Sequence, residues 1–192
     1  MKEANTKMTE EELLAGCNNG DNKCQYMLYK KFAPVMLAVC RRYASSLEEA
    51  EDVLQDGFIK IFNNLDKYRG DGSLEGWIRR IMVNTALNQY RSSLKTLYQL
   101  DVTEIQELIE DNRSTHLDKM NANVLLKMIE TLPKGYKLIF NLYEIEGYAH
   151  KEIAEMLNIS INTSKSQLLK ARRVLQKKVE ELTERENKLL RR

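Results

Sequence analysis

The sequence predicts an all-α protein made of two small helical domains joined by an acidic linker, the second domain containing a helix-turn-helix. Three observations predict it. Amphipathic runs with apolar residues three and four apart follow one another along the chain, with almost no strand-like alternation. Only eight Gly and two Pro interrupt 192 residues, so few segments are forced out of helical geometry. At 43% apolar content the chain can fill real cores, and its length suits one large or two small domains.

Along the chain, residues 8–18 read as a short helix, 21–45 as a second, 47–66 as a third and 72–94 as a fourth. The turn signals Gly20-Asp21 and Arg69-Gly70-Asp71-Gly72 separate them. These make a first domain over 8–94. Residues 95–118 set Asp101, Glu104, Glu107, Glu110, Asp111 and Asp118 against Lys95 and Arg113, a balance of −4. Their weak periodicity marks a flexible linker with a transient helix around Ile105–Ile109. The second domain, 119–182, has helices near 119–131, 133–146, 149–157 and 161–182. Pro133 suits the first position of its helix and Gly147 the end of it.

The stretch 147–175, GYAHKEIAEMLNISINTSKSQLLKARRVL, carries the strongest functional pattern. Ile153, Ala154 and Leu157 share a face of the first helix, and Ala154 lets a second helix cross closely. Asn158 stands where the chain must turn and tolerates the left-handed conformation, Ile159 can plug the core, and Ser160 offers an N-cap. At about 100° per residue, Ser164, Leu168, Ala171 and Leu175 form an inner stripe. Asn162, Lys165, Ser166, Leu169 and Arg173 form the outer one. Lys and Arg meet phosphates or guanine edges, Asn and Ser pair with base edges, and an exposed Leu meets a thymine methyl. From Lys165 to Arg192 ten Lys/Arg face four Glu, a balance of +6 in a chain whose formal charge is only +2. The alternative for this stretch alone is an amphipathic hairpin with a solvated basic face.

Two further patterns lie in the first domain. In EAEDVLQDGFIKIFNNLDKY, Leu54, Phe58, Ile61 and Leu65 take the core side. Opposite them Asp52, Gln55, Asp56 and Asn63 surround Ile59, with Phe62 on the border. A polar rim around an apolar centre is typical of a partner surface, and a solvated face with one stray Ile is the alternative. In YRGDGSLEGWIRRIMVNTALNQYRSS, Trp77, Ile78, Ile81, Met82, Thr85 and Leu87 interleave with Arg69, Arg79, Arg80, Asn84, Gln89 and Arg91. Aromatics beside arginines and amides suit single-stranded nucleic acid, unless Trp77 is simply core.

Other chemistries find little support. Cys17, Cys24 and Cys40 are odd in number and fit reduced thiols rather than a disulfide framework. His116 and His150 have no Cys or His at ligand spacing, so no metal or other cofactor is expected. No apolar run is long enough to span a bilayer, and MKEANTKMTEEELLAG lacks the order of a signal peptide, so a cytoplasmic protein is expected. No phosphate-cradling loop or Ser/His/Asp set is present, which argues against an enzyme. A stand-alone helix-turn-helix regulator, with the Ile59 face as a self-interface or pocket wall, stays open.

Taken together, EAEDVLQDGFIKIF, GSLEGWIRRIMVNTALNQYR and LPKGYKLIFNLYEIEGYAHKEIAEMLNISINTSKSQLLKARRVL closely resemble, in order and spacing, bacterial sigma factors of the extracytoplasmic-function group. The resemblance covers roughly residues 10–180. It implies a non-enzymatic initiation factor that binds core RNA polymerase through the coiled coil of the largest subunit and directs it to promoter DNA. Asp52, Gln55, Asp56, Ile59 and Phe62 fall to core binding. Arg69, Trp77, Arg80, Asn84 and Arg91 fall to melting of the −10 element and capture of its strand. Asn162, Lys165, Ser166, Leu169, Lys170 and Arg173 fall to the −35 element as duplex. The linker would thread the polymerase, and an anti-sigma partner, in that family often a membrane protein, is implied.

Several positions depart from the family pattern. Asn162, Ser164 and Gln167 stand where Gly, Val and Arg are usual. Ala149 replaces the Ser of a capping box with Glu152, a loss of about 1 kcal/mol. Asn88 stands where Asp is common, and Leu74 replaces a common Phe, so no aromatic contact is assigned there.

Overall fold

Thr9 opens the first helix, α1 (Glu10–Asn18), through a full capping box. Its hydroxyl accepts from the Glu12 N–H while the Glu12 carboxylate accepts from the Thr9 N–H. Asp21 caps α2 (Asn22–Arg41) by accepting from the Lys23 and Cys24 N–H groups, and Ser46 caps α3 (Leu47–Asn63) by accepting from Glu49. A 3-10 turn, Leu65–Lys67, leads to α4 (Leu74–Gln99), whose first turn is held by Gly76 N–H donating to Ser73 Oγ at 3.1 Å. There follow α5 (Ala122–Glu130), α6 (Lys134–Phe140), a π-helical turn (Asn141–Ile145), α7 (His150–Leu157) and α8 (Ile161–Leu190).

This is a computed structural model, and it describes residues 8–99 and 122–190, all of whose regular elements are helical. The chain divides into two compact units, Met1–Asp101 and Val102–Arg192. Most of the acidic stretch 95–118, including the helix expected at Ile105–Ile109, lies outside the described residues.

The helix ends differ from the sequence reading for identifiable reasons. α2 stops at Arg41 rather than near 45, because Ser46 must be extended, at φ −142°, to cap α3. α3 stops at Asn63, and the 3-10 turn then carries Leu65 into the core. α4 and α8 outrun their expected ends at 94 and 182, reaching Gln99 and Leu190. Neither extension contains Gly or Pro, and Leu, Lys, Glu and Gln carry a helix onward. Pro133 sits just outside its helix, at φ −50° and ψ 140°, so α6 begins one residue later than the sequence reading placed it.

In the first unit α3 packs against both α2 and α4. Leu28, Met36 and Val39 of α2, Ile61 of α3, and Ile78, Met82 and Leu87 of α4 are fully buried, the main source of the unit's stability. Gly57 lets α3 and α4 approach: a Cβ there would stand 2.2 Å from Met82 Sδ. Cys17, Cys24 and Cys40 are buried free thiols, and burial pushes Cys17 and Cys40 up to about 11, which keeps them protonated and unreactive.

The second unit is built on α8, which meets α5, α6 and α7. Met128 and Leu132 pack with Ala171 and Leu175, while Leu138, Ile139, Ile153 and Leu168 are also buried. α7 ends at Asn158, the one non-glycine residue at positive φ among those described (φ 53°, ψ 48°). Asn accepts this conformation at low cost, and the Ile159 N–H then bonds back to the Ala154 carbonyl.

Candidate functional site

On α3 the division of faces is complete. Leu54, Phe58 and Ile61 are buried with Leu65 just beyond the helix, whereas Asp52, Gln55, Asp56 and Asn63 are exposed. Ile59 stands at 59% exposure among them. Phe62 is half-buried and belongs to an aromatic row, with Phe58 at 6.0 Å and Tyr29 of α2 at 4.7 Å from Phe58. The surface is an apolar centre with carboxylates and amides around it, on a helix held rigidly from below.

α4 sorts the second set. Ile78, Met82, Thr85 and Leu87 point into the core and are unavailable to a ligand, and Leu74 is core as well. Lys60 Nζ donates to the buried Thr85 hydroxyl at 3.3 Å, tying α3 to α4. Trp77 is half-buried, its ring 5.6 Å from that of Tyr68. The Tyr68 hydroxyl donates to the Gly72 carbonyl at 2.8 Å, which closes the loop that bears the exposed Arg69. Helical spacing puts Trp77, Arg80, Asn84, Asn88 and Arg91 on one stripe, and all but Trp77 are exposed. Arg91 is not free to swing. Its guanidinium donates to Asn88 Oδ1 at 2.7 Å and to the Leu87 carbonyl at 3.4 Å.

α8 completes the set. Ser164, Leu168, Ala171 and Leu175 are buried, and Asn162, Lys165, Ser166, Leu169, Lys170 and Arg173 are all exposed. Ser160 caps the helix by accepting from the Thr163 N–H at 2.9 Å. Ser166 donates its hydroxyl to the Thr163 carbonyl at 3.0 Å, so toward a base edge it offers only lone pairs. Gln167 is half-buried and faces α6, where a Cβ on Gly135 would meet its Oε1 at 3.4 Å.

Sequence reasoning missed a polar stack beneath this face. His150 Nδ1 lies 2.9 Å from the Ser164 hydroxyl, and the His150 ring stacks on Tyr143 at 4.4 Å. Burial, then the cations Lys165 and Arg172, hold the imidazole below its usual pKa, favouring the neutral ring. The Arg172 guanidinium lies 5.9 Å from the Tyr143 centroid and pairs with Glu144 at 2.6 Å. Ser164 therefore does more than vacate an apolar position, because its buried hydroxyl has a partner. The capping box of α7 is half present: Glu152 accepts from the Ala149 N–H at 2.8 Å, but Ala149 has no side-chain acceptor to complete it.

Comparison with known proteins places both units. Residues 28–96 match the family model for sigma-70 region 2 and residues 122–175 that for sigma-70 region 4. The ECF RNA polymerase sigma-E factor of Escherichia coli K12 is 27% identical over 189 residues, covering 93% of this chain and 98% of that protein. The RNA polymerase sigma-H factor of Pseudomonas aeruginosa is 26% identical over 188 residues, covering 92% and 97%. Among solved structures, the sigma factor RpoE bound to the anti-sigma factor NepR, from Bartonella quintana, shares the fold. Its TM-score is 0.51 at 22% identity, over 81% of this chain and 96% of that one. With region 2 over its first helical unit, region 4 over its second, and relatives that span nearly its whole length, the chain belongs to the sigma-70 class, in the extracytoplasmic-function group.

Proposed function

We infer that this chain is a promoter-specific transcription initiation factor that binds core RNA polymerase, reads the −35 element as duplex and holds the −10 element as melted single strand. The observation that carries the reading is the pairing, on one chain, of two unlike outward faces. One is the Ile59 surface of α3, and the other is the basic reading face of α8. A factor that only bound DNA would need the second face alone.

Each face has a physical role. Ile59 gains by being covered, since fully burying such a side chain is worth about 1.5–3 kcal/mol. Asp52 and Asp56 choose a cationic partner surface, consistent with docking on the coiled coil of the largest polymerase subunit. Trp77, braced on Tyr68, leaves part of its ring to an unstacked base, while Arg80 and Arg91 follow the backbone and Asn84 meets a base edge. On α8 the early residues Asn162, Lys165, Ser166 and Leu169 read bases, and Lys170 and Arg173 hold phosphates.

The domain limits proposed from sequence, 8–94 and 119–182 with a linker over 95–118, serve this reading, although α4 itself runs five residues into the linker range. An anti-sigma factor is a proposed partner, supported by the Bartonella complex. A cytoplasmic location and a non-catalytic role follow from the function. Among the described residues no helix is long and apolar enough to cross a membrane.

Reconstitution with core polymerase and run-off transcription on a genomic fragment library tests the whole reading. Within it, Ile59→Asp or Asp56→Arg should abolish core binding with circular dichroism unchanged, because both side chains are exposed. Wild-type affinity for core in either variant would remove α3 from the assignment. A chain that bound DNA but never copurified with core would be a stand-alone regulator.

A further inference from the structure

We propose that His150 is a positioning residue for −35 reading: stacked on Tyr143 and hydrogen-bonded through Nδ1 to the Ser164 hydroxyl, it fixes where the first turns of α8 stand. This rests on the function inferred above but concerns a side chain outside the reading face.

Ser164 has no exposed surface and sits among the apolar residues of the inner stripe. A hydroxyl placed there is costly unless bonded, and His150 provides the bond. An apolar residue at 164 could fill the same space, but dispersion contacts tolerate sliding and rotation, whereas a hydrogen bond has a preferred distance and angle. Lys165 and Ser166 follow Ser164 directly on a rigid helix. Any lift or rotation of Ser164 moves both of them against the groove.

A second tie shows why the effect is local. Glu144, next to Tyr143, pairs with Arg172 at 2.6 Å, so residues 143–144 hold α8 at two points, one through His150 and one directly. The two points are eight residues apart, about 12 Å along the axis at 1.5 Å per residue. The first lies under the base-reading turns and the second beside Arg173. With the first tie cut, the N-terminal end of α8 can pivot about the second while the phosphate contacts near Arg173 keep their place. Base discrimination then falls while sequence-independent affinity stays.

The test uses holoenzyme reconstituted from the full chain and core polymerase. An upstream element is selected from duplexes randomised at the −35 position, and binding to it is compared with binding to its single-base variants. His150→Phe keeps the stack and removes the bond, and it should lose roughly tenfold of discrimination with non-specific affinity unchanged, the order expected when one base contact is misplaced. His150→Asn restores a polar atom at the Nδ1 position and should keep discrimination within about threefold of wild type, net hydrogen bonds being worth only this order. Adding Ser164→Ala to His150→Phe removes the stranded hydroxyl. That double variant should regain thermal stability without regaining discrimination. Discrimination restored along with stability would mean that the pair acts only through folding, and this overturns the proposal. So does undiminished discrimination in His150→Phe, or equal loss in His150→Asn. If wild-type holoenzyme selects no upstream element at all, the functional reading fails first and the positioning role with it.

Discussion

Replacing Gly57 by alanine tests how closely α3 must approach α4. The new Cβ would stand 2.2 Å from Met82 Sδ and 2.8 Å from Cε, against roughly 3.5–4.0 Å for non-bonded heavy atoms at contact. Met82 has no exposed surface, so its side chain cannot swing into solvent. Either the helices part or Met82 leaves its rotamer, at about 1–3 kcal/mol. Removing glycine from a helix interior offsets about 1 kcal/mol of this. The net effect is therefore a destabilisation of roughly 0–2 kcal/mol, too small to decide the matter alone. The coupling decides it. Met82→Ala by itself leaves a cavity costing about 2–5 kcal/mol, but when it is combined with Gly57→Ala the added methyl has room. The double variant should be more stable than the sum of the singles by at least about 1 kcal/mol. Urea unfolding followed through Trp77, the one tryptophan of the chain and part of α4, reports on this unit. Additivity within about 0.5 kcal/mol would refute the close approach.

Three other outcomes are expected. Arg80→Ala combined with Asn84→Ala should spare upstream duplex binding but impair opening, which permanganate footprinting reads; a normally melted promoter would remove the α4 stripe from strand capture. Lys165→Ala should cost about 1–3 kcal/mol on the selected upstream element and relax specificity at one base pair, whereas Arg173→Ala should weaken all sequences alike and flatten the salt slope by about 1. Equal weakening of every sequence by Lys165→Ala would make it a backbone contact. His150 is held below its usual pKa first by burial and then by Lys165 and Arg172, so the unfolded chain takes up the proton first as pH falls. Its contribution to stability is thus present above about pH 6.5 and is lost as the pH falls below it, so the protection factors of amides in α7 and early α8, corrected for the intrinsic exchange rate, should drop as the pH is lowered in wild type but not in His150→Asn.

The fold was legible because most of it is written in local rules. A 3.6-residue period at Leu54, Phe58, Ile61 and Leu65, a cap at Ser160, and an Asn at the one left-handed non-glycine position among the described residues all act within a few residues of themselves. Helix ends were less legible where the deciding residue lay in the next element. Arg41 closes α2 because Ser46 is committed to α3, and nothing in residues 42–45 alone announces that. Gly57 reads as a weak point in a helix until Met82, 25 positions later, is seen to need its missing side chain.

The same distinction governs the site. Exposed residues are read from periodicity, since a helix with one face buried must turn the other outward, and this located Ile59, Arg80 and Lys165 without any tertiary knowledge. The residues that hold them in place are set by pairwise geometry, which periodicity does not encode. By its spacing Ser164 reads as an apolar position spoiled by a hydroxyl. In the fold it meets His150, 14 positions earlier, at 2.9 Å. A polar residue on a stripe that ought to be apolar is thus the local trace of a distant partner, because an unbonded buried hydroxyl would cost about 1–3 kcal/mol and few small domains could carry it. On α8, the helix proposed to read DNA, Ser164 marks where the scaffold grips the helix.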